Sequence, residues 1–343
     1  MRRVLHLLFL CVLFGAGGCA PLSLRSGDFG EATVRTSLER AGIVDRQAEF
    51  ASLFCAHYAQ LAPSGGCAQW LQAVPAGAGG EGTVPAAGGV RPVVVIIPGI
   101  FGECVSRWVT PFSADYSYLE QLGYRVLVVP VTGRGSSLEN AGIIHQFFVQ
   151  HPFERAVVIG YSKGVTDFMT AATQPQAGQW ARRIGAFVSV AGVVNGTVLA
   201  SRGEALYRHV AGWQFPTCGP ADGGGVASLS YASVLPVAQV FARLARPYPT
   251  YSVVASAEGI VANPLLQGSF DLLAKVDRRN DGQVLAEDAI LPGSVYLGTF
   301  RADHWSIVLP FEDSDEASMR PFGVNNRFPR RVLATALLDF VNR

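Results

Sequence analysis

The stretch from Arg155 to Thr173, RAVVIGYSKGVTDFMTAAT, constrains the fold of this 343-residue chain more than any other part of its sequence. It begins with an apolar run, Ala156 to Gly160, which is too short for a lone helix and is typical of a buried strand. The turn GYSKG follows, and then apolar residues recur at helical spacing. Glycines on both sides of Ser162 let the strand and the helix approach closely, since glycine has no Cβ. We therefore predict a strand, a sharp turn and a helix, with the Ser162 hydroxyl lifted clear of the sheet and the helix N-terminus directed at developing negative charge.

Further apolar segments alternate with helical patterns along the rest of the chain. The predicted strands lie within residues 91–99, 123–131, 156–160, 186–194, 251–256 and 294–300. The predicted helices lie within residues 118–122, 138–150, 165–173, 234–245 and 329–341. Strands that are apolar throughout are typical of sheets covered on both faces. The alternation favours an α/β fold with a mostly parallel, doubly wound sheet and helices on both faces.

Composition changes along the chain predict its domain organisation. Residues 1–19 have the charged, apolar and small-residue regions of a signal peptide. Residues 20–72 are predicted to be an N-terminal helical segment, and the Gly/Ala/Pro-rich residues 73–90 a flexible linker. Residues 91–343 would then form the main domain. The Gly-rich insertion at about 196–249 would lie over the carboxyl edge of the sheet as a cap or lid.

The N-terminus and the cysteines predict export from a bacterial cytoplasm. The apolar run after Arg2 and Arg3 is too short to span a bilayer, although an uncleaved anchor is the alternative. The small residues before Cys19 also resemble a bacterial lipoprotein signal, which makes Cys19 a candidate for lipidation and membrane attachment. We expect a periplasmic, outer-membrane-anchored or secreted protein. An even number of remaining cysteines in an exported chain favours disulfides. The simplest of their three connectivities joins Cys55 to Cys67 and Cys104 to Cys218.

Four motifs of the main domain occur in the order that characterises one enzyme family. They are PGIFGE from residue 98, GYSKG from residue 160, NDGQV from residue 280 and ADHW from residue 302. Through them, residues 91–343 resemble the α/β-hydrolase superfamily, and within it the secreted bacterial esterases and lipases. The resemblance implies the α/β-hydrolase fold, with Ser162 as nucleophile, Asp281 as acid and His304 as base.

The base and the acid each have rivals in the sequence. A serine hydroxyl needs a base, and in this family the base follows the nucleophile in the chain, which leaves His209 and His304. His304 is favoured because it comes directly after the last apolar strand. Asp281 is favoured as the acid because Asn-Asp-Gly places a short carboxylate on a turn. Asp277 is the second candidate and Glu258 the third.

The resemblance also implies an oxyanion hole built from two backbone amides. One is the amide of Lys163, and the other is that of Ile100, with Phe101 as its alternative. We predict that the Lys163 side chain faces solvent or begins the helix, with Asp167 as its partner, and that it does not act as a base. The Phe101 side chain is a candidate for binding the acyl group of the substrate.

These features predict a serine hydrolase that cleaves carboxylic esters, of small molecules or lipids, through an acyl-enzyme intermediate. No cofactor or metal is expected, and Trp305 stands where some of these lipases have a calcium-binding aspartate. The net charge of +1 does not indicate the excess of basic residues that is typical of nucleic-acid-binding proteins. A thioesterase, an amidase or a polyester depolymerase would use the same residues. A non-catalytic envelope-associated binding protein with this fold is the alternative from another class.

Overall fold

A computed structural model describes residues 42–62, 65–72, 91–201 and 218–343. Several predictions concern other parts of the chain and lie outside the described residues. These are the signal peptide with Cys19, the linker at 73–90, and residues 202–217 of the insertion, which include His209.

In the part of the chain that the structure describes, seven parallel strands form one sheet at the centre of the molecule. They are β1 (Val44–Asp45), β2 (Val93–Ile97), β3 (Arg125–Val128), β4 (Ala156–Tyr161), β5 (Ile184–Val190), β6 (Thr250–Ser256) and β7 (Val295–Arg301). Their order across the sheet is β1-β7-β6-β5-β4-β2-β3. The prediction of a parallel sheet is confirmed, and each predicted strand is present. The edge strand β1 was not predicted.

Helices cover both faces of the sheet. The longer ones are α1 (Gln47–Leu61), α4 (Ser137–Gln150), α5 (Lys163–Ala172), α6 (Tyr231–Arg243) and α8 (Arg330–Val341), and the shorter ones are α2 (Gly102–Val105), α3 (Tyr116–Gln121) and α7 (Gln267–Leu273). Alternate residues of β2 show the layering: Val94 and Ile96 pack with α1 and α8, whereas Val95 and Ile97 pack with α4, α5 and α6. The sheet is therefore buried on both faces, as the apolar strands predicted. No helix among the described residues has both the length and the apolar character needed to span a membrane.

The N-terminal segment packs on the main domain. Helix α1 buries Phe50 and Phe54 against β7 and α8, where Phe50 makes edge contacts with Phe300 and Phe340. A disulfide from Cys55 to Cys67 joins α1 to the short helical turn that follows it. The second predicted disulfide, Cys104–Cys218, is also formed, and it joins α2 to the middle of the insertion.

The order of the strands reverses at β2, which favours a ligand site beside this strand. From β2 the chain moves outward to β3, and then it returns to place β4 on the other side of β2. Ligand crevices in open α/β sheets form at such reversals, outside the carboxyl ends of the strands. The loops after β2 and β4, which carry Ile100 and Ser162, therefore meet at this point.

Candidate active site

Ser162 stands between β4 and α5 in a strained backbone conformation. Its φ of 54° and ψ of −125° are rare for any residue other than glycine. The turn requires glycine at position 164, because a Cβ there would lie 2.6 Å from the Pro98 carbonyl oxygen and 2.8 Å from the Ile97 carbonyl carbon. At Gly160 the corresponding contacts are 3.1 Å or longer, so this position is less restricted. The predicted strand, turn and helix are thus present, and close backbone packing enforces the turn.

Two loops bring an imidazole and a carboxylate to the serine. His304 lies just beyond β7, and its Nε2 is 2.8 Å from Ser162 Oγ. Its other ring nitrogen, Nδ1, is 2.7 Å from Asp281 Oδ2. All three side chains are buried. Because a carboxylate accepts the Nδ1 proton, Nε2 is left as the acceptor that faces the serine hydroxyl. The arrangement can therefore transfer the hydroxyl proton to the imidazole and stabilise the resulting imidazolium.

The turn that contains Asp281 holds this carboxylate in one orientation. Asp281 Oδ1 accepts hydrogen bonds from the Gln283 and Val284 amides, each at 2.8 Å, which leaves Oδ2 for the imidazole. The amide of His304 donates to the Asp281 carbonyl at 2.8 Å, so the two loops are also joined through their backbones. Gly282 has a φ of 92°, which glycine adopts without strain. The Asn-Asp-Gly sequence predicted such a turn.

The rival acids have other partners. Asp277 forms an ion pair with Arg279 at 2.7 Å. Glu258 accepts a hydrogen bond from Gln72 at 3.2 Å and lies 3.9 Å from Arg278. Neither carboxylate contacts His304 in the described part of the chain, so the geometry favours Asp281 of the three candidates.

Sequence reasoning did not identify two residues that hold the histidine loop. The Tyr161 hydroxyl donates to the His304 carbonyl at 2.8 Å, and its ring lies 5.2 Å from the imidazole. Burial, with Asp281 and Asp303 nearby, raises the pKa of Tyr161 well above its usual value, so the hydroxyl remains a donor. Asp303 Oδ1 accepts from the amides of Trp305 and Ser306 and fixes the turn after the histidine. The position of Tyr161 directly before the serine was the available signal.

The loop after β2 lies directly against the serine. A Cβ on Gly99 would be 2.9 Å from Ser162 Cβ, so the backbone of this loop approaches the hydroxyl closely. The amides of Ile100 and Lys163 have no hydrogen-bond partner among the described residues. The Phe101 amide, in contrast, donates to the Gly133 carbonyl at 3.0 Å. The alternative assignment of the oxyanion donor to Phe101 is therefore disfavoured, while its half-buried side chain stays a candidate for substrate contact.

The prediction that the Lys163 side chain faces solvent is wrong, whereas its position at the start of α5 and its pairing with Asp167 are correct. Lys163 is 1% exposed, and its ammonium donates to Asp167 Oδ1 at 2.6 Å. Asn140 of α4 donates to Asp167 Oδ2 at 2.7 Å. Burial raises the pKa of Asp167, and the Lys163 ammonium opposes this shift. A buried ammonium paired in this way is not a free base for the serine.

One group of potential metal ligands occurs in the described part of the chain: Glu103, Cys104 and Cys218. Its two sulfur atoms already form a disulfide, so they are not available as thiolate ligands.

Comparisons with solved structures find similar proteins over most of the chain. A metagenomic carboxyl esterase, MGS0156, is 29% identical, with a TM-score of 0.80, over 90% of this chain and 96% of that chain. The mature form of the lipase BlEst2 from Bacillus licheniformis is 18% identical, with a TM-score of 0.51, over 63% of this chain and 86% of that chain. No protein-family model matches the sequence, and neither does any curated protein.

Proposed function

The chain belongs to the α/β-hydrolase superfamily, and from this we propose that it is a serine hydrolase that cleaves carboxylic esters through an acyl-enzyme intermediate. The observation that carries the proposal is the continuous contact from Ser162 Oγ to His304 Nε2 at 2.8 Å and from His304 Nδ1 to Asp281 Oδ2 at 2.7 Å. The carboxyl esterase named above gives independent support for ester chemistry, because it is 29% identical and similar over nearly its whole length, whereas the lipase supports the fold.

In the first half of the proposed reaction, Ser162 Oγ attacks the ester carbonyl while His304 Nε2 takes the hydroxyl proton. The carbonyl oxygen becomes an oxyanion, for which the unengaged amides of Ile100 and Lys163 are the donors. Asp281 stabilises the imidazolium that forms. When the tetrahedral intermediate collapses, the imidazolium protonates the leaving alkoxide, and the alcohol departs.

The second half repeats these roles with water. His304 Nε2 removes a proton from water, the hydroxide attacks the acyl-enzyme carbonyl, and the same two amides hold the new oxyanion. Collapse returns the proton to Ser162 Oγ and releases the carboxylic acid. Together the two halves consume one water molecule and release one alcohol and one carboxylic acid, and the enzyme returns to its starting state.

The packing of α6 leads us to propose a shorter residue range for the cap than the insertion at about 196–249. Helix α6 packs on the sheet, where Phe241 meets Phe187 of β5, so residues 231–243 belong to the helical layer. We propose that the cap is limited to about residues 196–230. Within this range, Cys218 is held by the disulfide to Cys104, and the Gly219 carbonyl accepts a hydrogen bond of 2.9 Å from Arg134.

Export of the protein, with lipidation of Cys19 or plain secretion, is proposed from the N-terminal sequence and supported by the two disulfides of the described residues.

The proposal is tested with a short p-nitrophenyl ester and a fluorophosphonate probe. We expect the wild-type protein to hydrolyse the ester and to be labelled, and Ser162→Ala to lose both properties while keeping its far-ultraviolet circular dichroism. A Ser106→Ala variant is the matched control, since that serine lies directly after α2 and outside the proposed triad. Ester hydrolysis retained by Ser162→Ala would refute the proposal, and an unlabelled, inactive wild type would favour a binding protein. Thioesters, amides and polyesters in the same panel separate the enzyme classes that share this machinery.

A further inference from the structure

The turn after β3 contains Thr132 and Gly133, and hydrogen bonds link it to both of the segments that carry the proposed oxyanion donors. Its residue Gly133 makes two contacts with the loop after β2. The Gly133 carbonyl accepts from the Phe101 amide at 3.0 Å, and the Gly133 amide donates to Glu103 Oε2. Phe101 and Glu103 follow Ile100 by one and three residues, so Gly133 is bound twice to the segment directly after the Ile100 amide.

Phe101 shows that this segment is constrained. Its φ of 59° and ψ of 10° are left-handed, which is unfavourable for a residue with a Cβ and persists only where its surroundings enforce it. Gly133 packs so closely here that a Cβ on it would lie 2.5 Å from Phe101 Cα and 2.6 Å from the Phe101 nitrogen. The contacts with Gly133 therefore enforce the left-handed turn that sets the direction of the adjacent Ile100 amide.

The same turn is also joined to the serine helix. The amide and the hydroxyl of Thr132 each donate to Asn140 Oδ1 at 2.9 Å, and Asn140 Nδ2 donates to the Thr132 carbonyl at 2.9 Å. Asn140 Nδ2 also contacts Asp167, which holds the Lys163 ammonium. Thr132 is partly buried, and Asn140, Asp167 and Lys163 are almost completely buried. A continuous chain of hydrogen bonds thus runs from the residue that carries one proposed donor to the turn that holds the other.

We propose that Glu103 is a positioning residue: acting through the backbone of Gly133, its carboxylate holds the Ile100 amide at a fixed distance and angle from the Lys163 amide. This inference rests on the proposed function and goes beyond it, because Glu103 belongs to neither the triad nor the pair of donors. A preorganised pair of donors stabilises a transition state only if the geometry is set before the charge appears. Glu103 supplies that preorganisation from outside the reacting atoms.

The test compares Glu103→Ala with Glu103→Gln. Alanine removes the acceptor for the Gly133 amide, whereas glutamine keeps a carbonyl oxygen at the same position. Since losing an oxyanion donor outright lowers kcat by about 10²–10³, displacing one should lower it by about 10–100-fold. We expect that loss for Glu103→Ala with KM within about threefold of wild type, because ground-state binding is not affected. Glu103→Gln should keep kcat within about threefold, and Glu120→Ala, an exposed carboxylate on α3, is the matched control.

A second readout separates positioning from general destabilisation. An aryl trifluoromethyl ketone adds to the serine and places an oxyanion in the proposed hole, so its Ki should rise in Glu103→Ala by the same factor by which kcat/KM falls. An active wild type whose Glu103→Ala variant keeps kcat within about twofold, or changes only KM, overturns the positioning proposal. Equal losses in the alanine and glutamine variants also overturn it, because the acceptor would then not be what matters. An inactive wild-type protein that does not bind the ketone would refute the proposed function itself, and this proposal with it.

Discussion

Replacing Asp281 with asparagine tests the proposed acid with little change in shape. Asp281 Oδ1 accepts two backbone amides, and asparagine can keep these contacts only with its own oxygen in that position. Its amino group must then point at His304 Nδ1, where Oδ2 now lies at 2.7 Å. The imidazole can accept this hydrogen bond only by moving its proton to Nε2. That nitrogen then presents a donor to Ser162 Oγ and cannot accept the hydroxyl proton.

The expected loss of activity follows from this change of tautomer. A wrong tautomer in a serine-histidine-aspartate site lowers kcat by about 10⁴, or about 5 kcal/mol of transition-state stabilisation. The free energy of unfolding should fall by no more than about 1.5 kcal/mol, because one charge-assisted hydrogen bond is replaced by a neutral one. Hydrolysis of a p-nitrophenyl ester and urea unfolding measure the two effects.

The matched control is Asp277→Asn, the rival acid four residues earlier, which pairs with Arg279 and should keep kcat within about twofold. Retention of more than a tenth of wild-type kcat by Asp281→Asn would refute the tautomer argument. Inactivation by Asp277→Asn alone would move the acid to that residue.

Three further substitutions test the packing of the serine turn and two contacts elsewhere in the fold. Gly164→Ala should lower the free energy of unfolding in urea by about 1–3 kcal/mol, because its Cβ would overlap the Pro98 carbonyl; a change under 0.5 kcal/mol would contradict that packing. His57→Ala should lower the free energy of unfolding by about 1–3 kcal/mol without changing kcat, since it removes the imidazole that lies 2.8 Å from the partly buried Asp339 carboxylate; a stability equal to wild type would argue against a significant pair. Burial raises the pKa of Tyr116 to about 12, so the protonated hydroxyl stabilises the fold below pH 10, and this stabilisation is lost as the pH rises toward 12. In Tyr116→Phe, the free energy of unfolding should therefore fall less steeply between pH 10 and pH 12, and an unchanged slope would contradict the pKa shift.

Hydrophobic pattern predicted the central sheet well, because a strand buried on both faces must be apolar at every position. The run VVVII of β2 could hardly be accommodated elsewhere, and its alternate side chains divide between the two helical layers. Strand β1 could not be predicted in this way, since Val44 and Asp45 are both exposed and form a strand only by pairing with β7. Helix α7 was missed because seven residues give fewer than two repeats of a helical pattern.

The residues of the candidate site also differ in how well the local sequence predicts them. Ser162, Asp281 and His304 could be proposed from local motifs because each lies in a turn with its own sequence signature. The burial of Lys163 could not be predicted, because it depends on a residue of another helix. Lys163 donates to one oxygen of Asp167, and the side-chain amide of Asn140 on α4 donates to the other. The contact from Glu103 to Gly133 spans 30 residues and involves a backbone amide, so no side-chain pattern records it.

The central claim is that the Ser162 oxygen forms a covalent bond with the acyl group of the substrate. Rapid acid quenching during turnover of a slowly deacylated ester, followed by peptide mass analysis, tests this claim directly. We predict that the acyl mass appears on the peptide containing Ser162, accumulates in step with the initial burst of alcohol, and is absent from Ser162→Ala. Steady hydrolysis with no acylated peptide and no burst, or an acyl group on another residue, would contradict the account.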